Sequence, residues 1–248
     1  MKPITLIKHF KLITLVFVLV LSYSCKDDEE TPEASQDYFP LDLGNYWVYG
    51  EDLNSDQIIS DEEKLTNTVI NSDYLIKGIS YSMIETTDSF GNRLDTLYVR
   101  RQGTDYIVYA EDFLEFSADI SQAESEVTLL MSNKSIGDTW NYNFVLNSIE
   151  FDGELIEGIA VDVEVVFELI QKEISLTTQA GTFNDVIAVE QSINLPFLLD
   201  DFESFLPITR FYFAPEVGII LTETDLVVNE DTGETETSQN ELIEYSLN

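Results

Sequence analysis

Ile159-Ala160-Val161-Asp162-Val163-Glu164-Val165-Val166-Phe167-Glu168-Leu169 decides the fold class. Its odd positions, Ile159, Val161, Val163, Val165, Phe167 and Leu169, are all apolar, while the even ones include Asp162, Glu164 and Glu168. Side chains alternate across an extended strand, so a period of two puts the apolar set on one face and the charge on the other. No helix sorts these residues that way. One dry face and one wet face is the pattern of an antiparallel sheet.

Outward from this strand, shorter β-rich segments recur: Tyr74 to Ile84, Thr96 to Arg100, Tyr106 to Tyr109, Thr139 to Ile149, Val186 to Ile193, Thr209 to Phe213 and Val217 to Val228. Turn chemistry separates them at Phe90-Gly91-Asn92, Gln102-Gly103-Thr104, Asp152-Gly153, Ala180-Gly181 and Thr232-Gly233. Glu111 to Gln122 and Phe197 to Phe205 are expected to be short helices. No proline- or serine-rich linker interrupts the chain after Tyr38. The expectation is mainly β: a single antiparallel β domain over 38–248, as a strongly curved sheet or open barrel, with a β-sandwich as the alternative.

An internal echo refines this. Gly44-Asn45-Tyr46-Trp47-Val48-Tyr49 recurs as Gly137-Asp138-Thr139-Trp140-Asn141-Tyr142, and the two tryptophans of the protein occupy the same slot. Glycine followed by Asn or Asp makes a turn, and the strand that follows carries Trp and Tyr on one face. Two related halves, starting near 40 and 133, are the expectation. Trp47, Tyr49, Trp140 and Tyr142 either plug the core of two strand starts or line a cleft for sugar or lipid; spacing leaves both readings open.

The N-terminus has a different character. Lys2, Lys8 and Lys11 precede the apolar run Leu12 to Leu21, then Ser22-Tyr23-Ser24 and Cys25, the single cysteine of the chain. The run is too short for a spanning helix, which needs about 20 residues, and suits the h-region of a signal peptide. It resembles a bacterial lipoprotein signal peptide over 1–24. The resemblance implies cleavage before Cys25 and palmitate-type acylation of that residue, with enough acyl chains for a permanent membrane anchor. Lys26-Asp27-Asp28-Glu29-Glu30 is similar to the lysine-plus-acidic export tag of Bacteroidota surface lipoproteins, though a solvated linker would look the same. Residues 25–37 are then the lipidated cysteine and an acidic, polar tether.

Charge and composition exclude whole classes of function. The chain carries 12 basic and 47 acidic residues, a formal charge of -35. Removing 1–24 takes away three lysines and no acid, which leaves -38. Such a balance opposes nucleic-acid binding, which needs basic residues to neutralise phosphates. The lone histidine, His9, lies in the signal segment. Serine–histidine triads, cysteine proteases and histidine-ligated zinc therefore have no residues to use. No phosphate-binding glycine loop or dinucleotide fingerprint is present, and no cofactor, metal or catalytic residue is expected. Carboxylate chemistry stays open, but 47 acids nominate no particular pair. Asn229 to Glu234 fails as a calcium loop, because Glu234 stands where glycine is required and Asn240 where a bidentate Glu belongs.

Three further stretches carry a resemblance: Tyr38-Phe39-Pro40-Leu41-Asp42-Leu43-Gly44-Asn45-Tyr46-Trp47, Ala180-Gly181-Thr182-Phe183-Asn184-Asp185-Val186, and Phe211-Tyr212-Phe213-Ala214-Pro215-Glu216-Val217-Gly218-Ile219. Together they are similar to motifs of uncharacterised Bacteroidota surface-lipoprotein domains. The resemblance implies a curved antiparallel sheet related to the open barrels of lipoprotein carriers, and brings no activity with it. The functional expectation is a non-enzymatic lipoprotein, held on the outer membrane through Cys25 and exposed on the cell surface, or alternatively facing the periplasm. Its partner would be a hydrophobic, glycan or protein ligand. The alternatives are a structural subunit of an outer-membrane assembly and a carboxylate-based glycoside hydrolase.

Overall fold

In the computed structural model, residues 36–53, 58–110, 120–121, 125–151, 154–194, 206–229 and 234–248 are described. The alternating stretch lies within a 25-residue strand, Glu154–Thr178 (β9). Val163, Val165, Phe167 and Leu169 are each at most 2% exposed, and Val161 packs at the margin of the same core. Burying four such side chains contributes roughly 1.5–3 kcal/mol apiece before entropy is charged against it.

The described residues contribute thirteen strands to one sheet. In chain order the other twelve are β1 (Tyr46–Gly50), β2 (Lys64–Ile76), β3 (Ile79–Asp88), β4 (Arg93–Gln102), β5 (Asp105–Tyr109), β6 (Ile120–Ser121), β7 (Glu126–Met131), β8 (Thr139–Phe151), β10 (Gly181–Asn194), β11 (Ile208–Ala214), β12 (Gly218–Asn229) and β13 (Glu234–Ser246). Their order across the sheet is β6-β8-β9-β10-β11-β12-β13-β1-β2-β3-β4-β5-β7, and every pairing is antiparallel. The sheet is continuous and curls into a nearly closed barrel rather than splitting into a sandwich. Two meanders, β1 to β5 and β8 to β13, join where the first strand pairs with the last.

The barrel's seam lies between β7 and β8. There the Trp140 indole N–H of β8 donates to the Thr128 carbonyl of β7 at 2.7 Å. The Lys172 ammonium, from β9, donates to the carbonyls of Ser132 and Lys134 at 3.0 and 3.1 Å. Trp140 also stacks on its cross-strand partner Phe167, with centroids 5.9 Å apart and planes 6° from parallel. Side chains thus bridge a gap that no backbone ladder spans among the described residues.

The repeated motif folds the same way twice. Gly44 and Gly137 both have φ of +87°. Asn45 N–H reaches Asp42 O at 3.1 Å, and Asp138 N–H reaches Ser135 O at 3.0 Å. Gly44 and Gly137 donate at 2.8 Å to Val69 O and Leu169 O, whose own amides return to Asn45 O and Asp138 O. A positive φ is where glycine is favoured, and this explains its place in both copies.

Some expectations need correcting. Tyr74 to Ile84 is not one strand: Lys77 (φ 51°) and Gly78 (φ 84°) turn the chain between β2 and β3. Positive φ at both central residues is what a tight hairpin requires, and Lys77 accepts it without the usual Asn or Gly signal. Within Glu111 to Gln122, the described residues Ile120–Ser121 form a short strand and not a helix. The remainder of that segment, Phe197 to Phe205, Asp152-Gly153 and Thr232-Gly233 lie outside the described residues.

Candidate functional site

One end of the barrel is stoppered by the chain entering β1. Asp37 accepts hydrogen bonds from the Tyr106 hydroxyl (2.7 Å) and pairs with Arg101 (3.1 Å). The Tyr38 amide donates to Tyr106 Oη at 2.7 Å, and Glu216 N–H donates to Asp37 O at 2.5 Å. Behind them Phe39 is buried against Trp47 and Tyr106, with centroids 5.5 and 6.5 Å away. The tip of the β9–β10 hairpin covers the same end: Ala180 N–H bonds Leu242 O, and Phe183 packs on Tyr245. Burial raises the Tyr106 phenol well above its usual range, with the Asp37 carboxylate adding to the effect.

Above this stopper is a cavity of about 350 Å³. That lies near the lower bound of typical small-molecule sites, about 300–1,000 Å³. Its base is apolar: Phe39, Trp47, Tyr49, Ile84, Leu129 and Ile219, with Leu97 and Phe211 partly exposed beside them. The Trp47 indole N–H is committed to Val217 O (2.6 Å) and the Tyr49 hydroxyl to Ile219 O (2.8 Å). Both residues therefore offer the cavity ring surface and not a polar atom. Tyr49 is buried deeply enough that its phenol is pushed far above the usual range.

Polar side chains also line the cavity: Asn67, Thr86, Asp95, Thr222 and Asn240. Strand register puts Thr222 opposite Asn240, and Thr86 opposite both Asn67 and Asp95. The Thr86 hydroxyl donates to Asn67 Oδ1 at 2.8 Å. Asn67 stands opposite Trp47 in the strand register, while Thr222 and Asn240 lie beyond Tyr49 toward the opposite mouth and Asp95 is exposed. A second recess of about 500 Å³ follows, lined by Glu51, Asp52, Leu53, Thr224, Leu226, Glu236, Thr237, Ser238 and Gln239. Its Thr224–Ser238 rung is the next same-face pair after Thr222–Asn240, about 7 Å further along the strands.

Of the four aromatics singled out by sequence, Trp47 and Tyr49 line the cavity and Trp140 and Tyr142 are not among its lining residues. Trp140 closes the seam, and Tyr142 is buried beside Phe144 at 5.8 Å. Cys25 and the segment Lys26, Asp27, Asp28, Glu29, Glu30 lie outside the described residues. Sequence reading missed Asn67, Thr86, Asp95, Thr222 and Asn240. The available signal was a polar residue two places from a buried apolar one, as Asn67 is from Val69, Thr86 from Ile84 and Asn240 from Leu242. Among the described residues no cluster of three acidic, histidine or cysteine side chains could hold a metal ion.

No protein-family model matches the chain, and no curated protein matches it. Two solved structures are similar to it. One, described as a "putative lipoprotein" from Parabacteroides distasonis, is 16% identical over 85% of this chain and 99% of that one, with a TM-score of 0.49. The other, described as a "putative exported protein with YmcC-like fold" from Bacteroides fragilis, is 15% identical over 86% of this chain and 100% of that one, with a TM-score of 0.48.

Proposed function

We propose that this protein is a lipid-anchored, extracytoplasmic binding module that holds a small amphipathic molecule in the mouth of its barrel. The observation that carries this is the cavity itself: an aromatic base, a hydroxyl and amide mouth, and one stoppered end. A concave apolar site with a few convergent polar groups is the usual form of a small-molecule pocket. The sequence supports the anchor through the signal-like segment 1–24 and Cys25. The outer membrane and the cell surface are the proposed location, on the strength of the acidic tag after Cys25.

Native mass spectrometry of the protein purified gently from its host, after release of its anchor, tests the binding role. Extra mass that disappears on denaturation is expected, and Leu97→Trp, which fills the cavity, should abolish it. A bare mass in the native protein would favour a structural subunit instead. Cys25→Ser should move the protein out of the membrane fraction; a variant that stays there would overturn the anchor.

A further inference from the structure

The cavity and the outer recess together say what kind of head group the ligand carries, an inference that rests on the binding role proposed above. Among the described residues, four charged side chains line them: Asp95 in the first, and Glu51, Asp52 and Glu236 in the second. All four are acids. Among the described residues, no lysine or arginine lines either space. The neutral polar groups between base and lip, Asn67, Thr86, Thr222, Asn240, Thr224 and Ser238, supply hydroxyl and carbonyl oxygens but no fixed positive charge.

Physical chemistry then sorts the candidates. An apolar body is favoured over the base of Phe39, Trp47, Ile84 and Leu129, where it leaves water for ring and aliphatic surface. A carboxylate or phosphate head would meet Asp95 with no cation to offset it. An ammonium head would find a carboxylate and hydrogen-bond acceptors.

We infer that the site takes an amphiphilic organic amine, with its hydrocarbon or aromatic body on the Trp47 base and its positive head at Asp95. Free fatty acids and phosphorylated amphiphiles are the wrong charge for it.

Three probes of one chain length separate the alternatives: decylamine, 1-decanol and decanoate, titrated calorimetrically against the intact mature protein at 0.15 M salt. Decylamine should bind at least tenfold more tightly than decanol, and decanoate should not bind measurably. Asp95→Asn, at an exposed position, should weaken decylamine five- to tenfold and leave decanol unchanged. General attraction of a cation to an acidic surface would survive Leu97→Trp, whereas binding in the cavity should not. Equal affinity for decylamine and decanol, or a preference for decanoate, would overturn the amine while leaving the binding role intact. Binding of none of the three, or binding indifferent to Leu97→Trp, would remove the cavity as the site and the binding role with it.

Discussion

Gly44 and Gly137 share a φ of +87°, and each donates its amide at 2.8 Å to a buried residue of a neighbouring strand, Val69 or Leu169. The surroundings of the two differ. A Cβ on Gly44 would stand 2.9 Å from Asn248 Nδ2, while one on Gly137 meets nothing within 4 Å.

Gly137→Ala should therefore cost only the backbone penalty of a left-handed conformation, about 1–2 kcal/mol. Gly44→Ala should cost about 1 kcal/mol more, because it also displaces the amide that Asn248 donates to Leu43 O. Urea unfolding of both variants measures the difference, and equal costs would show that the Asn248 contact contributes nothing.

Trp140→Phe keeps a ring against Phe167 and deletes the donor to Thr128 O. A loss of about 1–2 kcal/mol is expected, since a carbonyl is left at the seam without its partner. Hydrogen exchange should quicken at the amides of β7 more than at those of β2. Uniform change across the sheet would argue against a seam held by this side chain.

Phe39→Ala removes the ring that touches both Trp47 and Tyr106 beneath the cavity. A buried phenylalanine replaced by alanine typically costs about 3–5 kcal/mol. Trp47 fluorescence should shift to the red as water reaches the base. An unchanged emission maximum would mean that the stopper is sealed by other groups.

Glu126 gives a pH prediction. Arg100 holds it with two hydrogen bonds, at 2.6 and 2.8 Å, and the Tyr81 hydroxyl donates to it as well. The guanidinium keeps its carboxyl below the ordinary range. A pKa lower in the folded chain than in the unfolded one means full stabilisation above the unfolded value of about 4.3, fading as pH falls through the folded value. Glu126→Gln should thus destabilise at neutral pH and lose less stability than the native chain between pH 6 and 3. Burial, reinforced by Glu126, pushes the Tyr81 phenol up to about 12; ultraviolet titration should find it lower in the Gln variant.

The contrast between β9 and β13 shows what the sequence could reveal. β9 packs Val163, Val165, Phe167 and Leu169 into the core, so its inner face reads as an unbroken apolar series. β13 turns Glu236, Ser238 and Asn240 toward the recess and the cavity before Leu242 reaches the core. Its inner face is polar where a pocket needs polarity, and the period-two hydrophobic signal disappears there. The features that make a site also hide its strand. Asn67, Thr86, Asp95, Thr222 and Asn240 come from β2, β3, β4, β12 and β13; register joins them in two rungs, Asn67–Thr86–Asp95 and Thr222–Asn240, and both rungs line the one cavity. The repeated Gly-(Asn/Asp)-x-Trp turns were legible because they are local; the different duties of Trp47 and Trp140 depend on which strand lies opposite.

The pairing of β1 with β13 has a consequence for biogenesis. Tyr46 to Gly50 are among the first residues of the barrel to be synthesised, and their neighbours on one side, Glu241 to Ser246, are among the last. Contacts this distant in sequence are slow to form, because a long loop must close before they bring any gain. The sheet cannot be completed as the chain emerges. Until the final strand arrives, β1 presents an open edge bearing Trp47 and Tyr49, a template for pairing with other chains. A chain of this topology has to be kept apart from its siblings until the last strand pairs, and a holding chaperone would serve it more than a folding catalyst.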